Sequence, residues 1–266
     1  MKLLIDAGNS RTKWAWCPEQ SSQPTALQIN TLDNQYWFEG TAQAQALHAA
    51  IAKASQIYLS NVAGERWLQA LSQRDQRLQA IVATSSALGL QNGYSQPSQL
   101  GSDRWCSLLA VWRSEGQSAL VVSAGTAMTM DALLVKQEVK QELKQVQAMF
   151  AGGSIQPGLR LMWQSLQQGA AQLDYAYPDL ETATDSFAKN SQHAMWVGCV
   201  QTLAASVAAQ HARLCQQLDH VPLLFMSGGD ADLIARYLPH ALSAQAIIVD
   251  NLVLKGLACL AECSDE

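Results

Sequence analysis

The chain has 266 residues, 48% of them apolar and 15% charged, which is enough to build substantial cores and argues against general disorder. That length exceeds the usual single-domain size, so two domains are expected. The formal net charge of −5, with no Lys/Arg-rich run, offers no footprint for a nucleic-acid backbone.

The opening run Met1-Lys2-Leu3-Leu4-Ile5-Asp6 is too short for a signal h-region, and no apolar stretch reaches membrane-spanning length. The six cysteines (Cys17, Cys106, Cys199, Cys215, Cys259, Cys263) contain no C-x-x-C pair and read as reduced thiols. A cytoplasmic protein without membrane or nucleic-acid partners is the expectation.

Leu3-Leu4-Ile5 reads as a buried strand entering a turn at Asp6-Ala7-Gly8-Asn9-Ser10, and Thr12 to Trp16 alternates as a returning strand does. Ala42 to Lys53 and Glu65 to Gln79 carry helical spacing, separated by the strand-like Ile57-Tyr58-Leu59-Ser60; Ile81-Val82-Ala83 is a further strand candidate. This alternation predicts an α/β fold. Ala119 to Val122 then runs into Ser123-Ala124-Gly125-Thr126-Ala127 and the alternating Met128 to Leu134, repeating the strand, glycine turn and strand of the N-terminus. Two such hairpins half a chain apart suggest duplicated domains facing a cleft; the alternative is a chance likeness of two common pieces.

Lys136 to Gln147 is polar enough for a solvated hairpin extension or a short helix. After Gly152-Gly153 and Pro157-Gly158, Leu159 to Gln168 and the alanine-rich Ser191 to Cys215 read as helices. Leu223 to Met226 is a strand meeting Ser227-Gly228-Gly229-Asp230-Ala231, with a helix after it, and a final helix begins near Asn251. The tryptophans Trp105, Trp112, Trp163 and Trp196 show no stacking pattern and are read as packing.

The glycine turns at Gly8, Gly125 and Gly228-Gly229 each follow an apolar strand, where backbone N–H groups can approach an anion unobstructed. Three of them suggest a phosphate site. Neither G-x-x-x-x-G-K-[ST] nor a helix-opening G-x-G-x-x-G occurs, so the P-loop and the dinucleotide fold are excluded.

Asp6-x-Gly8-Asn9-Ser10-x-x-Lys13 resembles the phosphate motif D-x-G-N-[ST]-x-x-K of type III pantothenate kinases. Pro97-x-x-x-Gly101-Ser102-Asp103-Arg104 is similar to that family's P-x-x-x-G-x-D-R, and Ser123-Ala124-Gly125-Thr126-Ala127-x-Thr129-x-Asp131 to its D-x-G-T-A-x-T-x-D, departing at the first residue. Gly152 to Gly158, Ser227 to Ala231 (the adenosine-side G-G-D-A) and Asp250 to Leu257 continue the resemblance over nearly the whole chain.

The resemblance implies two duplicated actin-like, ribonuclease H-like domains, with a division at 1–117 and 118–266, of the acetate and sugar kinase, Hsp70 and actin superfold. It implies ATP-dependent phosphorylation of pantothenate and a homodimer. Two rivals remain: a regulator resembling the Bvg accessory factor, and a kinase for another small hydroxy acid or sugar.

Phosphoryl transfer needs charge neutralisation and an aligned nucleophile, and the residues can be read in those terms. Asp6 can hold Mg²⁺, or else cap its own turn. Lys13 can approach the phosphates as a point charge, or lie on the surface. Asp103 is the candidate general base, or a helix N-cap; Arg104 offers a fork for a substrate carboxylate, or makes a surface ion pair. The resemblance further implies ATP binding by Asp6, Ala7, Gly8, Asn9, Ser10, Arg11, Thr12, Lys13, Thr126 and Gly229. It places substrate against Tyr94, Gly101, Ser102, Asp103 and Arg104, with Ser191, or alternatively Thr184, supplying a hydroxyl. Asp131 either supports the cleft or ends a strand. His193 is read as structural or exposed. Ser123 stands where the family's aspartate helps hold an activating K⁺ or NH₄⁺, so a monovalent cation is expected to matter less here.

Overall fold

The computed structural model describes residues 1–17, 27–37, 39–65, 76–140, 143–178 and 187–263. Two compact units divide the chain: one of 1–116, 135–150 and 251–266, the other of 117–134 and 151–250. The first switch falls beside the expected division at 117/118. Residues 135–150 and the last helix nevertheless return to the first unit, so the units do not follow a single cut.

In the first unit, β1 (Lys2–Ala7) pairs antiparallel with β2 (Arg11–Trp16) and parallel with β4 (Gln56–Asn61). β3 (Asn30–Asp33) and β5 (Leu78–Ala80) complete the order β3-β2-β1-β4-β5. Period-two alternation sends Leu3, Ile5 and Ala7 into one core with Leu47 of α1 (Ala42–Lys53), which Thr41 caps by accepting from the Ala44 N–H at 3.3 Å. Leu4 enters the opposite core with Cys106 of α2 (Ser102–Glu115) and Leu254 and Leu257 of α7 (Leu252–Cys263). Asp6, two positions beyond Leu4, therefore belongs to the α2/α7 face, and its cross-strand partner Lys13 shares that face. These helices approach so closely that a methyl group at Gly256 would overlap the Cys106 carbonyl.

In the second unit, β8 (Ala119–Ala124) pairs antiparallel with β9 (Ala127–Lys140) and parallel with β11 (Leu223–Ser227), which pairs parallel with β12 (Ala246–Ile248). With β10 (Leu143–Pro157) beside β9, the order is β10-β9-β8-β11-β12, and the three central strands repeat the directions of β2, β1 and β4. The duplication expected from two hairpins is thus a duplication of strand order. α3 (Leu159–Gly169), α4 (Ser191–Cys215) and α5 (Ala231–Arg236) bury Trp163, Trp196 and Ile234 against this sheet; α6 (His240–Ser243) precedes β12.

β9 carries the chain into the first unit, where Ala148–Phe150 of β10 pair parallel with β7 (Leu90–Asn92), itself antiparallel to β6 (Ser86–Ala87). The segment beginning at Lys136 is thus a strand hairpin, not a helix. The strand expected at Ile81-Val82-Ala83 lies at Leu78–Ala80 instead. Its pairing ends when the Ile81 N–H reaches the Leu59 carbonyl, and Val82 is exposed. The helix expected over Glu65 to Gln79 falls mostly outside the described residues, and Leu78–Gln79 belong to β5.

Candidate active site

The β1–β2 turn closes through its own backbone, with the Gly8 N–H donating to the Arg11 carbonyl at 3.0 Å. Asn34 braces it from outside: its amide donates to the Gly8 and Asn9 carbonyls at 2.6 and 3.2 Å and accepts from the Thr12 hydroxyl at 2.7 Å. The braced turn presents Asn9 and Ser10 to solvent, while Thr12 is fully buried and Arg11 pairs with Asp33 at 2.9 Å. Turn closure thus comes from backbone and Asn34, and the carboxylate of Asp6 stands on the α2/α7 face beside Lys13. Lys13 is not a loose surface lysine: its ammonium donates to the Asn251 amide oxygen at 2.8 Å.

α2 begins at the end of β4. The Ser102 hydroxyl lies 2.9 Å from that of Ser60 and accepts from the Asn61 N–H at 3.1 Å, so Ser102 fixes the helix start from within. Gly101, not Asp103, is the N-cap; a methyl group there would lie 2.6 Å from Asp103 Oδ1. Asp103 stands in the first turn, where the helix dipole favours a carboxylate, and Oδ1 accepts from the Arg104 N–H at 2.8 Å. Arg104 is 5% exposed, which rules out a surface ion pair. Its guanidinium donates to the Tyr94 hydroxyl at 3.0 Å and lies 5.7 and 5.8 Å from the ring centres of Tyr94 and Phe150.

Electrostatics joins the two carboxylates. Burial and then the Asp103 charge push the pKa of Asp6 up to about 7, against a smaller lowering by Lys13. Burial raises that of Asp103 too, opposed by the Arg104 N–H and the Arg104 charge. Cys106, one turn along α2, is buried and its thiol is held protonated by burial and by both carboxylates. Among the described residues no group of three His, Cys, Asp or Glu side chains forms a metal cluster.

The second unit carries the other turns. Between β8 and β9, Gly125 and Thr126 are exposed, with the Gly125 N–H on the Ala127 carbonyl and the Gly158 N–H on the Thr126 carbonyl, at 3.1 and 3.0 Å. Side chains at Gly158 or Gly228 would collide with this turn's backbone, at Gly125–Thr126 and Ala124 respectively; Gly228 also has φ +105°. Ser123 sits in register between Thr129 and Ser227, three hydroxyl-bearing residues in a row. Asp131 is buried in mid-strand opposite Val121, so it does not end β9. Gly229 is exposed, and Ser191 opens α4 after its cap Asn190, whose side chain accepts from the His193 N–H at 2.9 Å. Thr184 lies outside the described residues.

A family model described as type III pantothenate kinase matches residues 2–213. A type III pantothenate kinase of Laribacter hongkongensis is 34% identical over 264 residues, 99% of this chain and 100% of its own. The chain belongs to the type III pantothenate kinase family. A relative of that name from Nitrosospira multiformis is 32% identical, covering 99% of this chain and 92% of its own. Among solved structures, a Campylobacter jejuni protein provisionally described as a Baf family transcriptional activator superposes with a TM-score of 0.59 at 18% identity, covering 99% and 98% of the two chains. A ROK family protein from Streptococcus pneumoniae gives 0.50 at 12% identity, covering 100% and 99%. These likenesses show the fold alone, the actin-like one.

Within a type III pantothenate kinase, Asp6, Lys13 and Asp103 are brought together, as are Tyr94 and Arg104. Asn34, Phe150 and Asn251, which brace or hold these groups, were not singled out from the sequence as site residues. Asn251 falls within the segment Asp250 to Leu257 that resembles the family's; nothing local marks Asn34 or Phe150.

Proposed function

We propose that the protein transfers the γ-phosphoryl group of ATP to the alcohol of pantothenate, giving 4′-phosphopantothenate and opening coenzyme A biosynthesis. The observation that carries this reading is the meeting of Asp6, Lys13 and Asp103 on one face of the first unit, in a chain that matches the family over nearly its whole length.

Asp103 is assigned as general base. Burial raises its proton affinity toward neutrality, where a carboxylate accepts the alcohol's proton more readily. Lys13 supplies positive charge to the phosphates, and the exposed Asn9 and Ser10 offer the turn's polar groups to them. In the second unit, Thr126 is assigned to phosphate and Gly229 to the nucleoside. Ser102 and Thr12 act through the backbone they fix. Arg104, oriented by Tyr94, is assigned to the pantothenate carboxylate, with Ser191 a further substrate contact.

Asp6 suits a divalent cation: a partly buried carboxylate whose proton affinity a neighbouring carboxylate raises is one whose charge a cation would offset. With no cluster of three ligands among the described residues, phosphate and water oxygens would complete the shell, the arrangement Mg²⁺ favours. When bound, Mg²⁺ neutralises phosphate charge. A homodimer and a cytoplasmic location belong to the same proposal; no described helix is long and apolar enough to cross a membrane. ADP release dependent on pantothenate tests the reading.

A further inference from the structure

Asn251 is one of two described non-glycine residues with positive φ, at 59°. Asparagine tolerates that conformation better than most residues. Its carbonyl accepts the Lys255 N–H at 3.2 Å and so starts α7, the position from which an asparagine side chain usually turns back to cap the helix's own N–H groups. Here the amide oxygen instead accepts from the Lys13 ammonium, 238 positions away in sequence, at 2.8 Å. Lys13 stands opposite Asp6 across the β1–β2 ladder.

We propose that Asn251 is a positioning residue that holds the Lys13 ammonium with a neutral oxygen. The proposal rests on the reading of Lys13 as a phosphate ligand. A lysine on a flexible stem beside a carboxylate folds onto it, and the resulting ion pair cancels the charge that a phosphate would otherwise meet. An amide fixes the ammonium by a hydrogen bond and leaves its charge intact. An aspartate in the same place would fix it and neutralise it. Asn251 thus combines a left-handed backbone at the start of α7 with an amide oxygen bonded to Lys13.

The test is a double-mutant cycle of Lys13→Ala and Asn251→Gly, glycine being chosen because it keeps the positive φ. Steady-state kinetics with MgATP and pantothenate are combined with calorimetric affinity for a non-hydrolysable MgATP analogue, which does not require turnover. Asn251→Gly is expected to lower kcat/KM for ATP, and analogue affinity, by about tenfold, leaving the KM for pantothenate unchanged. The double variant should be no worse than Lys13→Ala alone. Asn251→Asp should restore thermal stability while ATP affinity stays as low as in the glycine variant. If Lys13→Ala leaves analogue affinity and ATP kinetics untouched, the phosphate reading of Lys13 fails and the inference with it. If Lys13→Ala is impaired while Asn251→Gly matches the wild type, or the two losses multiply, the positioning role alone is overturned. A fall in melting temperature without change in ATP affinity would reduce Asn251 to a helix start.

Discussion

Replacing Asp6 by asparagine should stabilise the ligand-free protein while abolishing its use of ATP, and the gain should depend on pH in a defined way. Asp6 titrates at about 7 in the folded chain against a reference of 3.8, because of burial and then the Asp103 charge. The folded state therefore holds a proton that the unfolded state releases, and stability falls as pH rises from about 4 to about 7 and then levels. A shift of about three units at 1.36 kcal/mol each gives a ceiling of about 4 kcal/mol. Relaxation and water penetration around a buried charge reduce this to an expected ~1–3 kcal/mol. Asparagine removes the titration, so the stability difference between variant and wild type should widen from pH 4 to pH 7 and stay constant above. Urea denaturation at unit pH steps measures it, and adding MgATP at pH 8 should stabilise the wild type but not the variant. A difference that does not change between pH 4 and 7 would refute the account of Asp6.

Asp103→Asn should cut kcat by about 10²–10⁴-fold with ATP affinity largely kept, measured by single-turnover kinetics and calorimetry; a loss within a few-fold would remove the base assignment. Arg104→Lys should raise the KM for pantothenate far more than that for ATP, because lysine loses the planar fork and its hold on Tyr94; a raised KM for ATP alone would place Arg104 on the nucleotide. Wild-type kcat should respond little to K⁺ added at constant ionic strength, because the row Thr129–Ser123–Ser227 offers neutral oxygens only. Ser123→Asp should gain K⁺ dependence, and strong K⁺ activation of the wild type would contradict the reasoning.

The elements that local pattern dictates were legible in the sequence. Ala42–Lys53 and Ser191–Cys215 are helices at the bounds their spacing gives, and the likeness of the Gly8 and Gly125 hairpins foretold the repeated strand order. What escaped depends on distant partners. β5 stops where β4 ceases to offer pairing, three residues before its apolar run ends. The burial of Arg104, which decides between a fork for a carboxylate and a surface ion pair, escaped because nothing near it in sequence shows Phe150 packing beside it. The groups that hold Lys13 and the β1–β2 turn come from Asn251 and Asn34, whose roles exist only once α7 and β3 are in place.

The most direct measurement of the central claim is ADP release by the purified protein with MgATP, with and without pantothenate, paired with mass-spectrometric detection of the product. The account predicts ADP formed in equal amount with 4′-phosphopantothenate, and only when pantothenate is present. ATP bound by the protein, with neither ADP nor phosphopantothenate formed at high enzyme concentration, would contradict it.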